Sequence, residues 1–279
     1  MVRVLKAGFY TTIQDMGRYG FREKGVPISG IMDAASASMA NMLLGNKSSD
    51  AVMEITMMGP KLKFEQVTCI VISGAVMDAK INSTPINNNT VYDIAKGDIL
   101  SFGSFQSGFR TYLAVKHGFK TEKVLGSRSQ YESVTEKYCL NKGDEISILE
   151  FPFSKISGSH TRILSNWFES NSLKVYKGPE FDLLDASQKE QLLDKKFTIA
   201  KENNRMAYQL NENLSSHNHS ILTSSTLPGT VQLTPNGKLI ILMKDAQTTG
   251  GYPRVLQLSD EAICILAQKR TNDEIVFHL

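Results

Sequence analysis

Three polar segments rich in glycine carry the side chains of this sequence that are best suited to bind or transform a small molecule. The first spans residues 11–18 and continues over residues 25–33, and it contains Asp15, Arg18 and Asp33. Glycine lets the backbone approach a ligand closely because it has no Cβ, and the charged side chains place both signs in one loop. A structural role stays open, since an Asp15–Arg18 ion pair would also fix so long a loop.

The second segment, residues 126–129, places Arg128 between two serines and after a glycine. Backbone N–H groups and a guanidinium can together bind an anion such as a phosphate or a carboxylate. Four residues make a short motif, and an ordinary surface turn explains them equally well. The segment is therefore a candidate anion site with a structural alternative.

The third segment follows an apolar run at residues 239–243. It consists of Asp245, Ala246, Gln247, Thr248, Thr249, Gly250, Gly251, Tyr252 and Pro253. Its amide and hydroxyl groups can donate and accept hydrogen bonds at the end of a strand, and its paired glycines permit close approach to the backbone. A hairpin needs only two turn residues, so we interpret the segment as a binding loop. We expect it to share one cleft with the loop that contains Asp15 and Arg18.

The composition excludes several function classes. The 279 residues include 31 basic and 28 acidic side chains, and the resulting charge of +3 favours neither nucleic acid nor an anionic membrane as a partner. No apolar run approaches the ~20 residues of a membrane-spanning helix, and no signal peptide is apparent. Three cysteines without a C-x-x-C motif fit free thiols in a reducing compartment. We therefore expect a cytoplasmic protein.

No motif points to a nucleotide or metal site carried by the chain itself. The P-loop pattern, a G-x-G-x-x-G after a strand and the nucleophile elbow G-x-S-x-G are all absent. His217 and His219 could ligate a metal, but no cysteine or third histidine lies nearby in the sequence. We interpret them as a surface pair and predict no metal site.

Short runs bounded by turn residues, many of them rich in β-branched side chains, predict a mostly β protein. Predicted strands cover residues 2–5, 51–56, 61–64, 68–73, 78–81, 110–115, 146–151, 230–233 and 238–243. Helices are predicted over residues 34–44 with Asp33 as cap, over residues 182–195, and after Ser259. Two K-G-D turns, at residues 96–98 and 142–144, fit two similar β-units. Many strands with few helices favour β-barrel-like domains, which we place at residues 1–160 and 161–279.

Seven ordered motifs cover nearly the whole chain. They are G-F-x-T-T-I-Q-D-x-G-R-x-G, G-V-P-x-S-G-x-M-D, A-N-x-L-x-G-N, E-x-T-x-x-G-P, L-G-S-R-S, N-R-M-x-Y and D-x-Q-T-T-G-G-Y-P. Together they resemble the biotin-dependent carboxyltransferase family, also called allophanate hydrolase subunit 2, which implies two packed cyclophilin-like β-barrel domains with few short helices. Four positions depart from the family pattern: Ala207 and His117 replace glycines, Gln209 replaces an arginine, and Gln130 replaces a threonine.

The resemblance implies one subunit of a heteromeric, ATP-dependent 5-oxoprolinase, which hydrolyses the lactam 5-oxoproline to glutamate. The implied partners are a separate subunit-1-like protein and, as a further candidate, a lactam-hydrolase-like subunit, with ATP and Mg²⁺ shared among them. Because the chain lacks a P-loop and members of this family act with a partner, we expect the chain alone to hydrolyse neither ATP nor 5-oxoproline.

Each candidate site residue has a role implied by its chemical type and by the resemblance. Lactam opening coupled to ATP calls for cations that hold phosphoryl oxygens, a carboxylate for Mg²⁺ or a proton, and neutral donors for the ring amide. Substrate binding is assigned to Arg18, Asp33, Arg128, Arg205, Thr248, Thr249, Gly250, Gly251 and Tyr252. The catalytic candidates are Asp15, Asp245 and Gln247.

Two alternative functions stay open. A carboxyltransferase would move CO₂ from carboxybiotin to a urea-like nitrogen, and biotin would then arrive on another protein, because no A-M-K-M-type segment is present. A non-catalytic member of the family would instead antagonise a kinase-inhibitor protein without turnover.

Overall fold

The computed structural model describes residues 1–152 and 167–279, which form two units. Unit 1 contains Met1–Arg18 and the described residues from 29 to 152. Unit 2 contains Tyr19–Ile28 and the described residues from 167 to 279. The predicted domain boundary near residue 160 lies outside the described residues.

Unit 1 is built around one curled sheet. Its strands are β1 (Val2–Lys6), β2 (Tyr10–Gln14), β3 (Val52–Thr56), β4 (Lys61–Phe64), β5 (Thr68–Ile81), β6 (Thr84–Pro85), β7 (Tyr92–Ile94), β8 (Ile99–Val115) and β9 (Glu145–Ile146), and its helix is α1 (Ala34–Leu43). The main path runs β2-β3-β8-β4-β1-β9, and β5 pairs with β6, β7 and β8. The long strands β5 and β8 pair antiparallel with several register shifts. Such bulges bend a strand, which agrees with the curl of the sheet.

Alternation along β5 divides the core of unit 1 between the two faces of the sheet. Ile70 and Ile72 join one apolar cluster, whereas Cys69 and Val71 join the cluster that contains residues of helix α1. This is the period of two expected for a strand. Burial raises the pKa of the Cys69 thiol to about 12, and its hydrogen bond to Asp93 adds to the effect. Cys69 is therefore a protonated core thiol, and the two other cysteines are also free.

Helix α1 begins as the sequence predicts. The Asp33 carboxylate accepts a hydrogen bond from Ser36 N at 3.0 Å, which satisfies one free N–H of the first turn. The helix ends at Leu43, one residue earlier than predicted, and Gly45 follows with a φ of +60°.

None of the helices in the described part of the chain could span a bilayer.

Unit 2 is built around a closed barrel. Its strands are β10 (Ser172–Lys177), β11 (Phe197–Asn203), β12 (Ala207–Asn213), β13 (Ser224–Ser225), β14 (Thr230–Leu233), β15 (Lys238–Leu242), β16 (Thr249–Gly250), β17 (Arg254–Leu258) and β18 (Glu274–His278), and its α-helices are α2 (Ala186–Asp194) and α3 (Asp260–Ala267). Short 3-10 helices cover Arg22–Lys24, Trp167–Glu169 and Phe181–Leu183. The barrel order is β10-β17-β14-β15-β12-β11-β18, closed by parallel pairing of β10 with β18, and β13 pairs with β16. The mostly β prediction is confirmed.

Two predicted elements need correction, and several strands were not predicted. The helix predicted over residues 182–195 begins only at Ala186, because Asp185 is its N-cap and forms a capping box with Gln188. The strand predicted over residues 146–151 is limited to Glu145–Ile146. Strands such as Ala207–Asn213 were missed because their outward side chains are polar, so barrel pairing rather than composition makes them strands.

The two K-G-D turns are equivalent, but both lie in unit 1. Gly97 and Gly143 have positive φ, and the carboxylates of Asp98 and Asp144 accept hydrogen bonds at 2.8 Å from the backbone N–H three residues earlier. The turns lead into β8 and β9 of the same sheet. The interpretation that they mark two similar β-units was therefore wrong.

Candidate functional site

Asp15 joins the first two polar segments within unit 1. Its Oδ1 accepts hydrogen bonds from Ser127 Oγ at 2.5 Å and Ser129 Oγ at 2.8 Å. Gly17 N donates to the same oxygen at 2.9 Å, and Arg128 N donates to Oδ2 at 2.7 Å. A carboxylate has about four acceptor positions, so these donors use most of its capacity. The buried Asp15 side chain therefore holds residues 127–129 in place.

Arg18 and Gln130 fasten the same turn to the region around β2. The buried Arg18 guanidinium donates to the Ser129 carbonyl. Gln130 Oε1 accepts from Ile13 N at 2.9 Å, and its carbonyl accepts from Gln14 Nε2 at 3.1 Å. Asp15, Arg18 and the backbone of residues 127–130 thus form one hydrogen-bonded assembly in unit 1.

Gly30 is required by backbone packing. Its φ is +88°, and a Cβ at this position would lie within 2.9 Å of both Asp15 O and Gly17 Cα. Ile31 N donates to Asp15 O at 2.9 Å, which fixes the contact. The sequence interpretation, in which the glycines of this segment admit a ligand, is therefore unnecessary for Gly30.

Asp33 belongs to a buried polar network that joins residues far apart in the sequence. Asp33 N donates to Tyr112 Oη at 2.8 Å, and Tyr112 Oη donates to Glu54 Oε2 at 2.9 Å. Met32 N also donates to Glu54 Oε2, at 2.8 Å, and Arg110 Nε lies 3.9 Å from Glu54 Oε1. Burial raises the pKa of Tyr112 well above its ordinary value, with the negative charge of Glu54 adding to it. The hydroxyl therefore stays protonated and acts as a donor.

Unit 2 brings together two candidate residues that are 40 positions apart. Arg205 Nε donates to Asp245 Oδ2 at 2.7 Å, and the second contact, to Oδ1, measures 3.1 Å. Both side chains are buried, and Asp245 N also donates to Arg205 O at 2.9 Å. A two-pronged Arg–carboxylate contact is the strongest geometry for such a pair. Arg205, which was predicted to hold phosphoryl oxygens, thus binds Asp245, which was predicted to be a catalytic carboxylate.

The loop that contains Gln247 is held by β13 and by Arg22. Thr226 Oγ1 donates to Gln247 O at 2.6 Å, and Thr226 N donates to Thr248 O at 3.1 Å. Arg22 donates to the carbonyls of Thr226 and Thr248, the latter at 3.3 Å, and burial lowers its pKa. Thr249 pairs with Ser225 in the short β13–β16 ladder. Arg22 and Thr226 therefore position the loop, and the sequence motifs assigned neither.

A cavity of about 220 Å³ lies next to this loop in unit 2. It is lined by Glu202, Asn204, Met206, Ala207, Gln209, Gln232, Ile240, Leu242, Gln247 and Tyr252. Ile240 pairs with Gln209 on one side and with Gln232 on the other, so these three residues form a row across β12, β15 and β14. Polar groups on an apolar wall are typical of small-molecule sites, which makes this cavity the candidate binding site of unit 2.

Two glutamine side chains of the cavity contact each other. Gln247 Nε2 lies 3.4 Å from Gln232 Oε1, and Gln232 is fully buried. A Cβ at Gly250 would lie 2.4 Å from Gln232 Nε2, whereas a Cβ at Gly251 would meet nothing closer than Ile221 O at 3.9 Å. Gly250 therefore makes room for a protein side chain, and Gly251 has no such constraint.

We predict different effects for alanine at these two glycines. Gly250→Ala should lower the free energy of unfolding by about 1 kcal/mol, because the buried Gln232 amide must turn away from the new methyl group. The matched control Gly251→Ala should stay within about 0.5 kcal/mol of wild type, as expected of a surface change. Urea unfolding of the two purified variants measures both values. Equal stabilities for the two variants would contradict the packing role of Gly250.

The family model for the carboxyltransferase domain, subdomain A and B, matches residues 24–279. The chain belongs to this carboxyltransferase-domain family. The C subunit of 5-oxoprolinase from Escherichia coli (strain K12) is 31% identical over 274 residues, which cover 96% of this chain and 87% of that relative.

Solved structures share this fold over nearly the whole length of the chain. The structure of TTHA0988 aligns with a TM-score of 0.86 and 26% identity, and the match covers 100% of this chain but only 55% of that one. The K. lactis urea amidolyase aligns with a TM-score of 0.87 and 27% identity over 99% of this chain and 18% of that one. This chain thus spans about half of TTHA0988 and a smaller part of the amidolyase.

Two departures from the carboxyltransferase-domain sequence pattern line the cavity of unit 2. Ala207 and Gln209, which depart from the pattern that the sequence resembles, stand on β12, and Gln209 Oε1 accepts from Lys238 Nζ at 2.9 Å. Tyr252 also lines the cavity, whereas Asp245 and Arg205 are buried in their own pair. The prediction that the Asp15 and Gln247 loops share one cleft concerns both units and stays a prediction.

The candidate carboxylates do not fit a Mg²⁺–nucleotide site of this chain's own. Asp15, Asp33 and Asp245 each accept hydrogen bonds from buried protein groups. Over residues 1–152 and 167–279, no three His, Cys, Asp or Glu side chains are grouped as metal ligands. His217 and His219 contact each other, with ring centroids 5.4 Å apart, and His219 is exposed.

Proposed function

We propose that this chain is the carboxyltransferase-like component of a cytoplasmic, heteromeric and ATP-dependent 5-oxoprolinase. The observation that carries the proposal is the likeness to the C subunit of the E. coli 5-oxoprolinase over 96% of this chain. The amide-lined cavity of unit 2 supports it, because opening of a lactam requires groups that bind a neutral ring amide.

The hydrogen-bond donors of this chain determine which steps we assign to it and which to its partner subunits. Gln232 and Gln247 bind the ring amide of the substrate, and Arg22 and Thr226 hold the loop that carries Gln247. The carboxylates that could bind Mg²⁺ are engaged within the chain, so ATP binding is assigned to a subunit-1-like protein and a lactam-hydrolase-like subunit. The isolated chain then lacks the groups that activate the lactam.

Co-expression with a subunit-1-like and a lactam-hydrolase-like protein tests the proposal. The purified complex should release glutamate from 5-oxoproline only with ATP and Mg²⁺, and the chain alone should release none. Gln247→Ala should abolish most of this activity while the complex still assembles. The proposal fails if the complete complex forms no glutamate, or if the isolated chain turns over 5-oxoproline by itself.

A second function, biotin-dependent carboxyl transfer to a urea-like nitrogen, is favoured by the structural match to the K. lactis urea amidolyase. Biotin would arrive on a separate carrier protein. Transfer of carboxyl groups from a carboxybiotin carrier to urea, blocked by avidin, would support this function in place of the first. Tight binding of a kinase-inhibitor protein without any turnover would instead support the non-catalytic antagonist.

A further inference from the structure

The cavity of unit 2 contains a buried amide that no sequence motif singles out. Gln232 is 1% exposed, yet its Nε2 has no hydrogen-bond partner among the residues that the structure describes. Gln247 Oε1 is buried and unpartnered within the same described residues. Unpaired buried polar atoms are rare because they lose their hydration without compensation. Two of them lie in contacting side chains of one cavity, next to space that a ligand can occupy.

The glutamine pair offers one donor and one acceptor in either orientation of its amides. As oriented, Gln232 keeps a free N–H₂ and Gln247 keeps a free C=O. Half a turn of both amides exchanges nitrogen and oxygen in each side chain, and again leaves one N–H₂ and one C=O unpaired. The contact between them, at 3.4 Å, is longer than an ordinary hydrogen bond. The terminal torsion of glutamine is also soft, so both amides can turn toward a ligand.

The complementary ligand group carries a C=O and an N–H on the same side. An open-chain secondary amide is trans and places the two groups on opposite sides. A small lactam is held cis by its ring, and urea has N–H groups on both sides of its carbonyl. Such a ligand accepts from one glutamine and donates to the other, which satisfies both unpaired atoms at once.

The charge of the cavity lining favours a neutral ligand. Among its lining residues only Glu202 carries a charge, and this exposed carboxylate lies 3.6 Å from Lys201 Nζ. Lys238 does not line the cavity, and its Nζ donates to Gln209 Oε1. A carboxylate bound here would therefore lose its hydration without a lining cation to pair with, which is unfavourable.

We propose that Gln232 and Gln247 form the amide-recognition element of this cavity, and that the chain binds small neutral lactams and ureas in preference to anionic ones. The inference rests on the proposed function, since it assigns the ring amide of 5-oxoproline to this chain. The carboxylate of 5-oxoproline is then recognised by groups outside the cavity. Gln232 becomes a specificity-determining residue that the family motifs do not contain.

Binding to the purified full-length chain tests the selectivity. The probes are 2-pyrrolidinone, N-methyl-2-pyrrolidinone, urea and 5-oxoproline, each titrated by NMR. The chain should bind 2-pyrrolidinone about tenfold or more tightly than 5-oxoproline, and about tenfold more tightly than the N-methyl compound, which lacks the N–H. Glu202→Gln changes an exposed carboxylate and should bring the affinity for 5-oxoproline closer to that for 2-pyrrolidinone.

Two substitutions in the same row of the barrel separate recognition from structure. Gln232→Leu should weaken 2-pyrrolidinone binding by about tenfold or more but keep or raise the melting temperature, because it removes an unpaired buried donor. A merely structural glutamine would lower the melting temperature instead. Gln209→Leu is the control, since Gln209 lines the same cavity but its Oε1 is occupied by Lys238, and it should leave 2-pyrrolidinone affinity within about twofold.

Three results would overturn the inference: wild-type affinity in Gln232→Leu, equal binding of 5-oxoproline and 2-pyrrolidinone, or no binding of any probe. These results are independent of the glutamate-release assay, because they are obtained on the isolated chain. A complex that releases no glutamate while the chain still binds 2-pyrrolidinone would reject the 5-oxoprolinase function alone.

Discussion

Asp15→Ala is expected to lower the free energy of unfolding by at least about 3 kcal/mol, because each polar group that loses a buried partner costs about 1–3 kcal/mol. The substitution removes the acceptor of the Ser127 and Ser129 hydroxyls and of the Gly17 and Arg128 backbone N–H groups. Both serines are fully buried, so bulk water does not reach them. Urea unfolding of the variant and the wild type measures the difference.

Ser127→Ala is the matched control for Asp15→Ala. It removes one of the four donors to the carboxylate and also the acceptor of Ser129 N, but leaves the carboxylate with its other three donors, so it should cost about 1–2 kcal/mol, less than Asp15→Ala. The free energy of unfolding of Asp15→Asn should lie between those of the two alanine variants. The amide oxygen of asparagine can still accept a hydrogen bond, but its N–H₂ group faces other donors. A variant Asp15→Asn with wild-type stability and no activity in the assembled complex would restore the catalytic role that the sequence assigned to Asp15.

The sequence predicted the elements whose local signals agree with their environment. Asp33 and Ser259 are side-chain caps whose partners lie three residues away, so a local pattern contains the whole interaction. The strand at Lys61–Phe64 was predicted with its observed bounds. The polar barrel strands were missed because their pairing is with distant parts of the chain.

The candidate site was predictable as a set of loops but not as a set of contacts. Asp15 meets Ser127 and Ser129 across more than 110 positions, a distance that no local pattern contains. Glu54 offered a signal that was overlooked, since a carboxylate within the apolar strand VMEIT must be paired when it is buried. Gln232 offered none, because a glutamine in a strand usually faces solvent.

Asp245→Ala is expected to be among the most damaging substitutions in unit 2. It leaves the Arg205 guanidinium buried without the carboxylate that binds it at 2.7 and 3.1 Å. Breaking a buried ion pair by removing one partner costs about 3–5 kcal/mol. The loss should appear as a lower urea midpoint with an unchanged slope, which reports stability rather than a change in the unfolded state.

Two controls decide whether the effect comes from the uncompensated charge. The double variant Arg205→Met with Asp245→Leu should be much more stable than Asp245→Ala, because apolar side chains of similar size can replace a buried pair at little cost. Lys196→Ala breaks the exposed Lys196–Glu274 pair and should cost about 1 kcal/mol or less. If Asp245→Ala were as stable as Lys196→Ala while the assembled complex lost its activity, Asp245 would be a reacting group rather than the partner that neutralises Arg205.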